Sequence, residues 1–173
     1  MHKLLEIMDE YKLTFCLILV LLIARQFFFS TFIVEGASMD YTLQDQERVM
    51  GFQTFDIERF DIVVFHAPNE EKDYVKRVIG IPGDRIKYEN DQLYINDQPY
   101  SEPYLDLKKA EYSANFTQDF ILVEEIPEGY YFVLGDNRRN SKDSREIGLI
   151  SEADIYAELF FSYWPMDQIG TIE

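Results

Sequence analysis

The chain has 173 residues and a formal net charge of −16, which leaves room for one domain behind an N-terminal apolar segment and disfavours nucleic acid, whose phosphates need clustered Lys and Arg. The same acidity disfavours attachment to an anionic lipid surface by charge alone. A single cysteine (Cys16) and two histidines (His2 and His66) exclude an intramolecular disulfide, a thiol dyad and a His/Cys zinc site.

The first element is apolar. Residues 13–24 carry no polar side chain except Thr14, Arg25-Gln26 follows, and residues 27–34 form a second apolar run broken by Ser30-Thr31. As a helix the first run would be roughly 18 Å long, too short for a hydrocarbon core of ~30 Å, whereas residues 13–34 would reach roughly 33 Å. The segment 13–34 is therefore read as one N-terminal transmembrane helix that anchors the chain in the lipid bilayer. Two geometries are open. Either the helix continues through the segment and Arg25 snorkels toward the headgroups, or it ends near Arg25 and Phe32-Ile33-Val34 enters the domain as a strand. The second suits the β-branched residues better. A cleavable leader is disfavoured, because Ala24 and Ala37 are preceded two positions earlier by Leu22 and Glu35. The flanking charges, Lys3 and Lys12 against Arg25 and Arg48, balance and do not orient the segment.

Residues 35–173 show almost no helical periodicity. Short β-rich runs at 48–52, 61–65, 74–81, 85–88, 93–95, 130–134 and 156–163 alternate with turn residues, which predicts a mainly β domain. Glu89-Asn90-Asp91-Gln92 reads as a hairpin turn. Twelve Tyr and fourteen Phe are read as core and cross-strand packing. Residues 98–125 are the most polar and least patterned stretch, and residues 69–73 read as a solvated acidic loop. His66 closes the run Ile62-Val63-Val64-Phe65 and is read as a strand-end residue facing solvent.

With so few His and Cys, a serine–lysine pair is the simplest remaining route to nucleophilic catalysis. Ser38 lies in Gly36-Ala37-Ser38-Met39-Asp40-Tyr41-Thr42-Leu43, just past the apolar segment. Lys76 lies in Tyr74-Val75-Lys76-Arg77-Val78-Ile79, where strand alternation puts it on one face with Tyr74 and Val78. Lys76 is thus expected inward and Arg77 outward and salt-bridged. A lysine can act as a base only if burial lowers its pKa from about 10.4. The polar run at 135–145, Gly-Asp-Asn-Arg-Arg-Asn-Ser-Lys-Asp-Ser-Arg, is too polar for a core strand.

Ser38-Met39 behind an apolar anchor, Lys76-Arg77 leading into Gly80-Ile81-Pro82-Gly83-Asp84, and the 135–145 run together resemble the type I signal peptidases over about residues 33–148. The resemblance implies a signal-peptidase-like β-fold with a small variable insertion at about 98–125. It places residues 1–12 in the cytoplasm and 35–173 outside it, in a single-pass protein of the cell membrane. It implies a membrane-bound serine endopeptidase that cuts signal peptides from exported pre-proteins after small residues, without metal or cofactor. In this pattern Ser38 is the nucleophile, Lys76 the general base and the Ser38 N–H the oxyanion donor. Ser141 is expected to hydrogen-bond the lysine amine, Asp143 and Arg145 to form a supporting ion pair, and Gly135-Asp136-Asn137 to make a tight turn. Met39 belongs to the nucleophile motif, and Gly36 occupies a position where Gram-negative members carry a serine. Two departures bear on geometry: Tyr41 stands where the family usually has proline, and Phe60 where it has the glycine of Arg-Gly-Asp. Some specialised members act as assembly factors for pili, so pilin subunits are an alternative partner class. A self-cleaving repressor domain is disfavoured by the anchor and by the lack of a DNA-binding segment.

Overall fold

The computed structural model describes residues 11–20, 22, 28–53, 56–68 and 70–172. Residues 11–20 are helical, and no helix among the described residues is long and apolar enough to cross a membrane. The middle of the anchor segment, residues 21 and 23–27, lies outside the described residues, as do residues 1–10 of the segment expected in the cytoplasm. At the far end of that segment the chain is already β. Phe29–Ile33 forms strand β1, antiparallel to β2 (Arg48–Phe52) with Phe29 opposite Phe52 and Ile33 opposite Arg48. Residues 29–33 therefore belong to the β domain; Phe28 just before them is helical, and residues 23–27, where one geometry ends the helix, lie outside the described residues.

The main sheet runs β1-β2-β11-β3-β4-β9-β10, with β3 at Ile62–His66, β4 at Asp73–Gly80, β9 at Tyr130–Leu134, β10 at Ile150–Ser151 and β11 at Ile155–Trp164; β12 (Gly170–Thr171) pairs only with β11. The apolar run in β3 is unbroken because both of its faces are covered. Ile62 and Val64 join Met39, Leu43 and Leu159 in one core, while Val63 and Phe65 join Val78 and Val133 in another. Each such side chain removed from water contributes about 1.5–3 kcal/mol.

A second sheet, ordered β7-β6-β5-β8, comprises β5 (Ile86–Glu89), β6 (Gln92–Ile95), β7 (Gln98–Tyr100) and β8 (Phe120–Ile121). Glu89 pairs with Gln92 across Asn90 and Asp91, both at positive φ, and Ile95 pairs with Gln98 across Asn96 and Asp97, also both at positive φ. Two-residue turns of this type need left-handed backbone, which Asn and Asp tolerate. Since β7 and β8 pair with β6 and β5, the small unit begins near Ile86 and is wider than the interval 98–125. Its inner face packs Ile86, Tyr88, Leu93 and Ile95 against Ile79, Phe132 and Leu134 of the main sheet. The site lies where the loop after β1 meets β4 of the main sheet.

Candidate active site

The loop after β1 is pinched at its base. Val34 N–H donates to the Glu47 carbonyl at 2.8 Å, Gln46 N–H donates to the Val34 carbonyl at 2.8 Å, and Gly36 N–H donates to Asp45 Oδ1 at 2.7 Å. Gly36 sits at φ +85°, a left-handed conformation that glycine adopts without penalty. Met39 and Leu43 are buried beside Val34 and Val49 and plug the loop into the core. Ser38 is thereby held between a fixed turn and a buried side chain.

Lys76 projects from β4 beneath it and is 3% exposed. Its Nζ lies 2.8 Å from Ser38 Oγ and 2.7 Å from the Val75 carbonyl oxygen. Burial lowers the Lys76 pKa to about 8, with the Asp143 and Asp136 carboxylates acting in the opposite direction. As the ammonium, Nζ donates to Oγ; as the neutral amine, it can receive the hydroxyl proton over the same short distance.

The polar run completes the enclosure. Asn137 N–H donates to the Ser38 carbonyl at 3.0 Å, and its Nδ2 donates to the Ala37 carbonyl at 3.0 Å. Asp136 accepts from Thr42 Oγ1 at 2.5 Å. Asp143 is buried, caps the short helix Ser144–Ile147 and accepts from Gly135 N–H at 3.1 Å. Arg145 grips the same carboxylate with two bonds, Nε to Oδ1 at 2.8 Å and Nη2 to Oδ2 at 2.7 Å.

Two expectations are corrected here. Arg77 does face away from Lys76 and is salt-bridged, but it points into a second interior and not outward. It is 2% exposed, bonded by Nη2 to Asp136 Oδ2 at 2.8 Å and stacked over the Tyr104 ring at 3.9 Å. At Arg77 the other face of β4 is covered, with the Tyr104 ring lying against the guanidinium, so the side chain is not open to solvent. Ser141 does not hydrogen-bond the lysine amine; its Oγ is buried without a partner. It packs instead against Gly135, where an added Cβ would lie 2.2 Å from Ser141 Oγ and 2.5 Å from the Ser38 carbonyl oxygen. Lys76 already has Ser38 and Val75 as partners.

His66 is paired with Asp73 at 2.7 Å on a largely exposed side chain and stacks on Tyr156, so its contacts are all away from Ser38. Among the described residues no group of three His, Cys, Asp or Glu is placed to hold a metal ion. Phe60 adopts φ +77°, the backbone a glycine would take, and its carbonyl accepts from Arg77 Nη1 at 3.0 Å. Position 60 thus holds a conformation that favours glycine although the residue is bulky. A cleft of about 520 Å³ opens at the dyad, walled by Phe32, Val34, Met39 and Val64, with Lys72 and Lys142 also on its lining.

The model of the signal peptidase family, peptidase S26, matches residues 7–164. This chain belongs to that family. Signal peptidase IB of Staphylococcus aureus is 41% identical over 163 residues, covering 86% of this chain and 85% of the relative. Signal peptidase I of Streptococcus pneumoniae strain R6 is 39% identical over 198 residues, covering 95% and 96%. The crystal structure of a signal peptidase I from Enterococcus faecalis V583 superposes with a TM-score of 0.59 at 41% identity, covering 61% of this chain and 97% of that one.

Within this signal peptidase fold, several residues that shape the site carry no local mark in the sequence. Arg138 is one: its Nη2 pairs with Glu102 at 2.7 Å, its Nη1 donates to the Tyr88 hydroxyl at 2.5 Å, and its Nε donates to the Gly135 carbonyl at 3.1 Å. It ties the polar run to the small sheet. A charged residue looks solvated until its partner, 36 positions away, is placed beside it.

Proposed function

We propose that this chain is a membrane-anchored serine endopeptidase that removes signal peptides from exported pre-proteins, with Ser38 as nucleophile and Lys76 as general base. The observation that carries the reading is the 2.8 Å Ser38–Lys76 contact around a buried amine with its pKa lowered to about 8. Neutral Lys76 takes the Ser38 proton as Oγ attacks the scissile carbonyl. The Ser38 N–H, which has no partner among the described residues, faces the developing oxyanion. The resulting lysine ammonium protonates the leaving amine, and neutral Lys76 then activates the water that hydrolyses the acyl-enzyme. Ser141, Asp143, Arg145, Gly36 and Met39 support the loop that carries these atoms, and the apolar cleft beside Met39 suits small side chains before the cut.

Residues 13–28 are proposed to run into the bilayer, with the β domain on the extracytoplasmic side. Support comes from the outer face of β1, β2 and β11. Phe52 stacks on Phe160 at 4.1 Å and meets Phe29 at 5.3 Å, beside exposed Ile33, Trp164 and Met166, an apolar surface suited to lipid. An assembly factor for pilins would need a groove but no depressed lysine, so the buried amine supports hydrolysis over that alternative.

Ser38→Ala and Lys76→Met are each expected to abolish cleavage of a signal-peptide substrate by the full chain in detergent, and the double variant to lose no more than either. Equal cleavage by wild type and both variants would remove the dyad from the mechanism.

A further inference from the structure

A second set of contacts holds the nucleophile loop from the side opposite the core, and the dyad chemistry makes no use of it. Lys108, in the short helix Asp106–Lys109, has a side chain only 11% exposed. Its Nζ lies 3.2 Å from Asp40 Oδ2, 3.6 Å from Glu111 Oε2 and 4.3 Å from the centroid of the Tyr41 ring. The Tyr41 hydroxyl donates to Glu111 Oε1. Asp40 and Tyr41 are the two residues between the buried plug Met39 and Thr42, which is itself bonded to Asp136. Apart from the Asp40 N–H bond to the Ala37 carbonyl at 3.3 Å, this cluster supplies the contacts of the segment two and three positions past Ser38.

Lys108 balances two carboxylates and sits over an aromatic face; its own side chain is largely buried, while Asp40 is partly exposed and Glu111 and Tyr41 stand at the solvent edge. Its removal leaves Asp40 and Glu111 with no shared cation and takes away the charge over the Tyr41 ring. Either change frees the loop to move outward. The arrangement also supplies a physical role for tyrosine at position 41: its ring and hydroxyl fix the chain through contacts, where a proline would fix it through φ.

We infer that Lys108 is a positioning residue for the Ser38 nucleophile, acting through Asp40 and Tyr41 to keep Oγ within reach of Lys76. This inference rests on the Ser38–Lys76 reading. A catalytic residue touches the reacting atoms; Lys108 acts at one remove, from the short helix that follows β7.

The test uses the full chain in detergent with a fluorogenic peptide that carries alanine on the acyl side of the scissile bond. Lys108→Met is expected to lower kcat at least tenfold with KM within about threefold, while Lys108→Arg stays within threefold of wild type. Amide hydrogen exchange at residues 38–43 is expected to quicken about tenfold in Lys108→Met, with β3 and β4 unchanged. Wild-type kcat in Lys108→Met, equal losses in Lys108→Met and Lys108→Arg, or exchange quickened equally in β3 and β4 would each overturn the inference. If Lys108→Met does not fold, Asp40→Asn on the partly exposed loop carries the test: it is expected to show the same loss of kcat and the same local exchange, and wild-type values for both would overturn the inference. A wild-type chain that fails to cleave the peptide would defeat the dyad reading, and the exchange data would then decide the role of Lys108 alone.

Discussion

Replacing Lys76 with methionine is expected to remove activity and, at neutral pH, to make the fold more stable. Burial lowers the Lys76 pKa to about 8, whereas the unfolded chain keeps an ordinary lysine near 10.4. Below about pH 8 both states hold the proton, and the folded protein bears the whole cost of a buried ammonium. At about 1.4 kcal/mol per pH unit, the gap between the two values corresponds to about 3 kcal/mol. As pH rises from about 8 to about 10.4, the folded state releases its proton while the unfolded state keeps it, so wild-type stability climbs relative to a chain without the amine. Methionine is similar in length and uncharged, but it gives up the bonds to Ser38 Oγ and the Val75 carbonyl, at about 1 kcal/mol each. The expected result is a variant more stable than wild type by about 1–2 kcal/mol near pH 6.5 and less stable near pH 10.5, a swing of about 3 kcal/mol. Other groups titrate in both proteins and cancel. Guanidinium unfolding of the full chain in a non-denaturing detergent, followed through Trp164, measures the difference at each pH. A difference that stays constant within ~1 kcal/mol across the range would refute the buried ammonium.

The rate of cleavage should follow the same proton: kcat/KM is expected to rise about tenfold per unit below about pH 8 and level off above it, and a flat profile between about pH 6 and 9 would exclude Lys76 as the base. Gly135→Ala should push the Ser38 carbonyl and Ser141 apart, costing about 1–3 kcal/mol and lowering kcat at least tenfold; unaltered kcat would show that the loop gives way without moving the nucleophile. Phe60→Gly should be more stable than Phe60→Ala by about 1 kcal/mol, the reverse of the usual loop preference, because position 60 has positive φ; thermal unfolding of the two variants that ranks Ala first would argue against a left-handed residue there.

The strands of the main sheet were legible because their apolar residues either alternate or run unbroken between two covered faces. The Asn90-Asp91 turn was legible for a local reason too, the tolerance of Asn and Asp for left-handed backbone. Asn96-Asp97 carries the same signal and marks β7, which the polar composition of residues 98–125 obscured. Ser38 and Lys76 were found through their motifs, and their contact follows from the loop after β1 lying over β4. What could not be read locally was the destination of charge. Arg77, Arg138 and Lys108 look like surface cations in sequence, yet each is buried by a partner or a sheet far along the chain. Ser141 failed for the converse reason: its neighbour in the motif is fixed, but its hydrogen-bond partner depends on a side-chain position that spacing does not specify.

Asn137 closes over Ala37 from 100 positions away, and Asp136 reaches Thr42 from 94. Contacts of such long sequence separation are costly in loop-closure entropy, so the seat of Ser38 is expected among the later parts of the fold to be finished. A nascent chain in which residue 137 has not yet arrived holds Ser38 and Lys76 but has nothing to fix the serine's backbone. Under the proposed mechanism such a chain is expected to be inactive. On the same mechanism the topology builds in a delay: the serine is expected to become reactive only when nearly the whole domain is there to restrain it.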